Sequence, residues 1–336
     1  MNEIQPYTSK NMSFKRFRPL RKDAQTRDLL VEVQLSPEDF ILPYFVVEGK
    51  GIRNEIGSLK DVYHLSVDSI LKEIEEPIKL GINKFLLFGV VEDFRKDETG
   101  SFSTSPENPV NKAIQEIKKV YPAITIITDV CLCAYTSHGH CGVLVGEQVE
   151  NDKTLPILAE MALSNAKAGA NIIAPSAMMD GQVWAIRQLL DKNGFTGVKI
   201  LSYSAKYSSG LYGPFRGAAN SKPAFGDRKT YQMDYRVASQ AIEEMEADLD
   251  EGADYLMVKP AHTYLDIISK AHTKYPEVTL AAYHVSGEYM MLKSAALAGI
   301  VEEKHAVLEV FTAIRRAGAN WIISYYAPFV AKLLKS

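Results

Sequence analysis

Lys167-Ala-Gly-Ala-Asn-Ile-Ile173 returns in altered form as Glu251-Gly-Ala-Asp-Tyr-Leu-Met257 and as Arg316-Ala-Gly-Ala-Asn-Trp-Ile322. Each copy closes a helical pattern on a glycine, passes through Ala and Asn or Asp, and enters an apolar run. Glycine suits that place because the residue after a helix often needs positive φ. Gly81 ends SILKEIEEPIKLG in the same way, where Ile70, Leu71, Ile74 and Ile78 share one face. One helix-to-strand junction is therefore used repeatedly. Working outward from it, short apolar runs occupy 40–48, 84–91, 124–132, 171–176, 198–204, 255–260, 279–286 and 321–327. Most are apolar almost throughout, as expected of parallel strands buried on both faces. Helical patterns separate them at 154–169, 185–194, 236–252 and 305–318.

Eight strands alternating with helices predict an α/β fold of the (β/α)8 TIM-barrel type. An open doubly wound sheet is the alternative. No GxGxxG follows the first run, and the spacing stays even to the end, which favours the barrel. Residues 36–336 form this predicted catalytic domain. Residues 1–35 are polar, and basic between Lys10 and Arg27, and read as an N-terminal arm for subunit contacts.

Composition narrows the function classes. The formal net charge of -3 argues against a general nucleic-acid binder. No run approaches the roughly 18 apolar residues of a membrane span, and the N-terminus lacks the apolar core of a secretory signal. Three cysteines cannot all pair within one chain, so reduced thiols and a cytoplasmic location are expected.

A barrel puts its chemistry at the C-terminal strand ends. Reactive types recur there: Cys131 and Cys133 on the third run, Ser176 on the fourth, Lys206 after the fifth, Lys259 on the sixth, Ser286 on the seventh and Tyr325 on the eighth. A lone strand-end lysine is ordinarily a solvated charge. Two on neighbouring strands disfavour each other's protonated forms, and burial pushes the same way. A neutral amine is the nucleophile that forms a Schiff base with a ketone or aldehyde. Between the fifth and sixth runs, 207–232 is rich in Gly, Ser, Ala and Pro, lacks helical periodicity and reads as a lid. Tyr212, Phe215, Phe225 and Tyr231 can pack it down, and Arg216 and Arg228 can clamp a carboxylate. All three cysteines fall in DVCLCAYTSHGHCG (129–142). C-x-C-x7-C is not a four-ligand structural zinc pattern; three thiolates leave one position open, which suits a catalytic metal. His138 and His140 are candidate ligands, acid/base groups or loop-shaping residues.

DVCLC…YTSHGHCG, SAKYSS…YGPFR, AFGDRKTYQMD, EGADYLMVKP…YLDII and VSGEY together resemble the porphobilinogen synthase (5-aminolevulinate dehydratase) family, from about Phe14 to the end. The resemblance implies condensation of two 5-aminolevulinate molecules to porphobilinogen, with loss of two waters, in tetrapyrrole and heme biosynthesis. It implies a Schiff base on Lys259, with Ser286 and Tyr325 on that substrate's carboxylate. Lys206 would hold the second substrate, with Arg216, Arg228 and Gln232 on its carboxylate and Phe215 and Ser176 lining the site. Cys131, Cys133 and Cys141 match the members that bind catalytic Zn2+, with Asp129 a candidate for proton transfer near the metal. A homo-octamer joined through the arms is implied, and an allosteric Mg2+ is a further expectation. The chain departs from the family pattern at Ala177 (usually Asp), Gln182 (usually Arg), Gly217 (usually Asp), Leu59-Lys60-Asp61 and 237–241. A catalytically impaired relative and another Schiff-base lysine aldolase are the competing readings. The aldolase leaves the second lysine and the cysteines unexplained.

Overall fold

The computed structural model describes residues 15–335. The chain divides into two compact units between Gln34 and Leu35. In the first, Asp23 caps a short helix, Ala24–Asp28, by accepting from the Thr26 N–H.

The second unit is a closed barrel. Its strands are β1 (Phe40–Val47), β2 (Lys84–Val90), β3 (Thr125–Val130), β4 (Ile172–Pro175), β5 (Lys199–Lys206), β6 (Tyr255–Lys259), β7 (Leu280–Tyr283) and β8 (Trp321–Ile323). All neighbours pair in parallel and in chain order, and β8 closes on β1 through Phe40↔Ile322 and Ile41↔Ile323. Each predicted run matches one of these strands, but β5 runs two residues past the predicted end at 204, so Lys206 lies on the strand rather than after it. The two-sided apolarity of the strands has a direct cause. Phe40 and Phe45 lie an odd number of residues apart and so face opposite ways. Phe40 meets Phe311 of the outer helix Glu303–Arg316 edge-on at 5.4 Å, whereas Phe45 stacks on Phe88 at 5.6 Å and Tyr325 at 6.2 Å, within the barrel.

Several elements differ from the sequence expectation. The helix over 69–81 is two pieces, Val67–Glu73 and Glu75–Lys79, because Pro77 has no N–H to offer the Glu73 carbonyl. Ser286 is not on β7, which ends at Tyr283, but opens the helix Ser286–Leu297. A hairpin, Arg53–Ile56 and Leu59–Ser66, follows β1, and its second strand pairs in parallel with the end of β1. The lid does contain helix, Gly213–Ala218, started by Pro214 in its first turn.

Candidate active site

Lys206 and Lys259 are the last residues of β5 and β6 and face each other in register. Just before them, Ser202↔Leu256 gives way to Ala205↔Val258, so β5 carries one extra residue. Such a bulge re-aims side chains. It lets Tyr203 reach both lysines although it is an odd step from Lys206: its ring centre is 5.5 Å from Lys206 Nζ and 5.0 Å from Lys259 Nζ. Lys259 Nζ also lies 4.2 Å from the Tyr283 ring, 5.2 Å from Phe215 and 5.3 Å from Tyr212. Burial within this aromatic cage, reinforced by the charge of Lys206, brings the Lys259 amine down to about 7. Lys206 Nζ donates to the carbonyl of Ser176, which follows β4 directly rather than lying on it.

The cysteines follow β3. Cys131 is still extended, and the turn Leu132–Ala134 then folds Cys133 back to 3.3 Å from it, sulfur to sulfur. The chain returns through Gly139, at φ +72°, to bring in Cys141. All three are buried, with their sulfurs within 4.8 Å of one another. A tetrahedral zinc with bonds of ~2.3 Å separates its sulfurs by ~3.8 Å, so the trio fits a metal of that size. Hydrogen bonds from Cys131 and Cys133, then the charges of Arg228 and Lys206, hold the Cys141 thiol well below its ordinary range. Asp129, on β3 facing the lysines, is raised to about 6 by burial, although Lys206 and Ser176 pull against it. Its Oδ1 has no protein partner.

His138 and His140 shape the loop. His138 Nε2 donates to the Glu98 carbonyl at 3.1 Å. His140 Nε2 donates to the Phe225 carbonyl at 3.1 Å and its Nδ1 accepts from the Tyr231 hydroxyl at 3.0 Å. The second pair ties the lid to the cysteine loop. Arg228 adds to the tie by donating to the Gly139 carbonyl at 3.0 Å and the Ser221 carbonyl at 2.6 Å. Arg216 is half-buried, and burial together with the charge of Arg228 lowers its pKa. Nε of both arginines and both amide atoms of Gln232 are buried without protein partners. Such a group is suited to receive a carboxylate. On the opposite side Ser286 Oγ accepts the Phe215 N–H at 3.0 Å, and the Tyr283 and Tyr325 hydroxyls are 3.5 Å apart.

The sequence-derived residues therefore converge on one mouth. Tyr203 and Tyr283 were missed because each sits inside a run that reads as core; only the β5 bulge, which leaves no mark in the sequence, turns Tyr203 inward. The departures are accommodated locally. Ala177 is fully buried, and Gln182 accepts from the Met179 N–H at 3.4 Å. A Cβ on Gly217 would stand 3.2 Å from Ser58 Oγ, which donates to the Pro214 carbonyl at 2.8 Å, so glycine lets the hairpin approach the lid helix. Lys60 accepts from the Tyr289 hydroxyl at 2.8 Å through its carbonyl, and Asp61 pairs with Lys293 at 3.0 Å.

A parallel barrel with two buried lysines side by side, a thiol trio and two arginines with buried, unpartnered Nε atoms defines a lysine-dependent enzyme of carbonyl chemistry. Residues 14–333 match the family model described as Delta-aminolevulinic acid dehydratase. The chain is 48% identical to the Delta-aminolevulinic acid dehydratase of Bacillus subtilis over 96% of its own length and 99% of that protein's. It is 49% identical to that of Helicobacter pylori over 96% and 99%. A crystal structure of the Toxoplasma gondii dehydratase (porphobilinogen synthase), in complex with the reaction product porphobilinogen, superimposes with a TM-score of 0.93 at 42% identity, covering 96% of this chain and 92% of that one. The chain belongs to the delta-aminolevulinic acid dehydratase family.

Proposed function

We propose that the chain is a porphobilinogen synthase, joining two molecules of 5-aminolevulinate with loss of two waters. The observation that carries this reading is the register pairing of Lys206 and Lys259 beside the thiol trio. Lys259, neutral in a large fraction near pH 7, adds to the keto carbon of the first substrate. A protonated neighbour carries the departing oxygen away as water, leaving an imine. Ser286 and Tyr325 hold that substrate's carboxylate. Lys206 takes the second substrate, and Arg216, Arg228 and Gln232 bind its carboxylate under the lid. Phe215 covers Lys259, Ser176 aligns Lys206, and Asp129 is placed to accept and return a proton between the two amines. Cys131, Cys133 and Cys141 would hold Zn2+, which when bound supplies a Lewis-acidic position beside the second substrate.

The finer assignments belong to the same reading: a cytoplasmic homo-octamer joined through residues 1–35, serving tetrapyrrole and heme synthesis. Among the described residues no helix is long and apolar enough to cross a membrane. The cysteine trio is the one cluster of potential ligand atoms among them; an allosteric Mg2+ rests on resemblance alone. The test is incubation with 5-aminolevulinate and zinc, with and without a chelator, and an assay for the pyrrole. Absence of pyrrole at every zinc level sinks the reading. Pyrrole formation that survives complete metal removal sinks the zinc assignment alone.

A further inference from the structure

Glu288 takes no part in the chemistry above, yet the residue is only 1% exposed. It is the third residue of the helix Ser286–Leu297, and its Oε2 accepts the Val285 N–H at 2.8 Å, closing the helix start. Capping alone does not require burial. Here the same group also reaches a second element: Oε1 accepts the His262 N–H at 2.6 Å and Oε2 the Ala261 N–H at 3.3 Å. Pro260 has no N–H, so these are the first two main-chain donors after Lys259. On the helix side, Val285 immediately precedes Ser286, whose Oγ accepts from the lid at Phe215 and donates to the Leu211 carbonyl at 3.3 Å. No described basic side chain pairs with Glu288. Burial without a basic partner raises the Glu288 pKa to about 7 despite the main-chain N–H groups that donate to it, and a serine or threonine cap would serve the helix without that penalty.

We infer that Glu288 is a positioning residue for the reaction. Its carboxylate fixes the backbone behind Lys259 and the backbone before Ser286 in one frame. A substrate held by its carboxylate at Ser286 then presents its carbonyl to Lys259. The inference rests on the reading of Lys259 as the imine former. A helix cap without this role predicts that only stability depends on Glu288.

Two variants separate these accounts. Glu288→Asp keeps the carboxyl group and a cap within its own helix but withdraws it from Ala261 and His262. Glu288→Gln keeps the length but turns an amide N–H2 toward one of the donors. The assay uses the full chain and levulinate, the keto acid without the amino group. Borohydride reduces the imine to a secondary amine, and the tagged peptide is followed by mass at saturating levulinate. The wild type becomes tagged at Lys259. Both variants are tagged on the order of tenfold or more slowly, since a displacement near 1 Å can cost up to about 100-fold. Lys293→Met, which breaks the ion pairs of the same helix with Asp61 and Glu303, is tagged at the wild-type rate whatever its Tm. If Glu288→Gln does not fold, Glu288→Asp decides alone. Wild-type tagging rates in the folded Glu288 variants, or equal slowing in Lys293→Met, overturn the inference. A wild type left untagged at Lys259 overturns the Lys259 reading instead.

Discussion

At the scale of single residues, burial prepares Lys259 before any substrate arrives. An unfolded lysine titrates near 10.4, and the folded one is brought to about 7. Imine formation then needs no high pH: its rate is expected to level off above about 7 and to fall tenfold per unit below it, measured as tagging rate against pH. The same shift has a stability consequence of definite sign. Between about 7 and about 10.4 the unfolded chain binds a proton that the folded chain does not, so stability rises with pH across that window. Lys259→Met, which fills the aromatic cage without a charge, is expected to abolish pyrrole formation and to raise Tm. The gain is expected to amount to up to a few kcal/mol at pH 7 and to vanish as the pH approaches 10. A variant that loses activity and also loses Tm at neutral pH would contradict the burial argument.

At the scale of elements, the lid depends on a backbone contact that only glycine allows. Gly139 sits at φ +72°, and a Cβ there would stand 2.4 Å from the Lys222 carbonyl oxygen. Gly139→Ala is therefore expected to lift the lid from the cysteine loop and weaken the contact of Arg228 with the Gly139 carbonyl. The KM for 5-aminolevulinate should rise several-fold, and trypsin should cut faster after Arg228 and Lys229, while the barrel keeps its Tm to within the effect of ordinary backbone strain, about 1 kcal/mol. Unchanged KM and unchanged cleavage would show that the lid does not rely on this contact. Legibility in the sequence follows the same physics. The barrel strands were readable because burial on both faces leaves an apolar run with no competing period. The hairpin at 53–66 was not: its residues Arg53, Asn54, Glu55, Lys60 and Asp61 face solvent, and its two strands pair antiparallel over only a short span. The lysines and cysteines stood out by type and position. Tyr203 and Glu288 did not, since a strand bulge and a cross-element hydrogen bond are tertiary facts.

At the scale of the whole molecule, closure of the barrel removes every edge from the parallel sheet and leaves one mouth, to which six strands, β3 to β8, contribute. The N-terminal unit is built on another principle. Its helix has five residues, far below the length at which an isolated helix is stable in water. In the single chain Phe17, Leu29, Leu30 and Val31 are each half exposed or more. We propose that this segment buries those side chains against another copy of the chain. Deletion of residues 1–34 is thus expected to leave the far-UV spectrum and Tm of the barrel close to those of the full chain, while light scattering reports a smaller assembly. The cut lies outside the mouth residues, so Lys259 should still be tagged by levulinate and borohydride at the wild-type rate per subunit. An assembly of undiminished mass would assign subunit contacts to the barrel surface, where Trp184, Leu297 and Ile300 are also exposed.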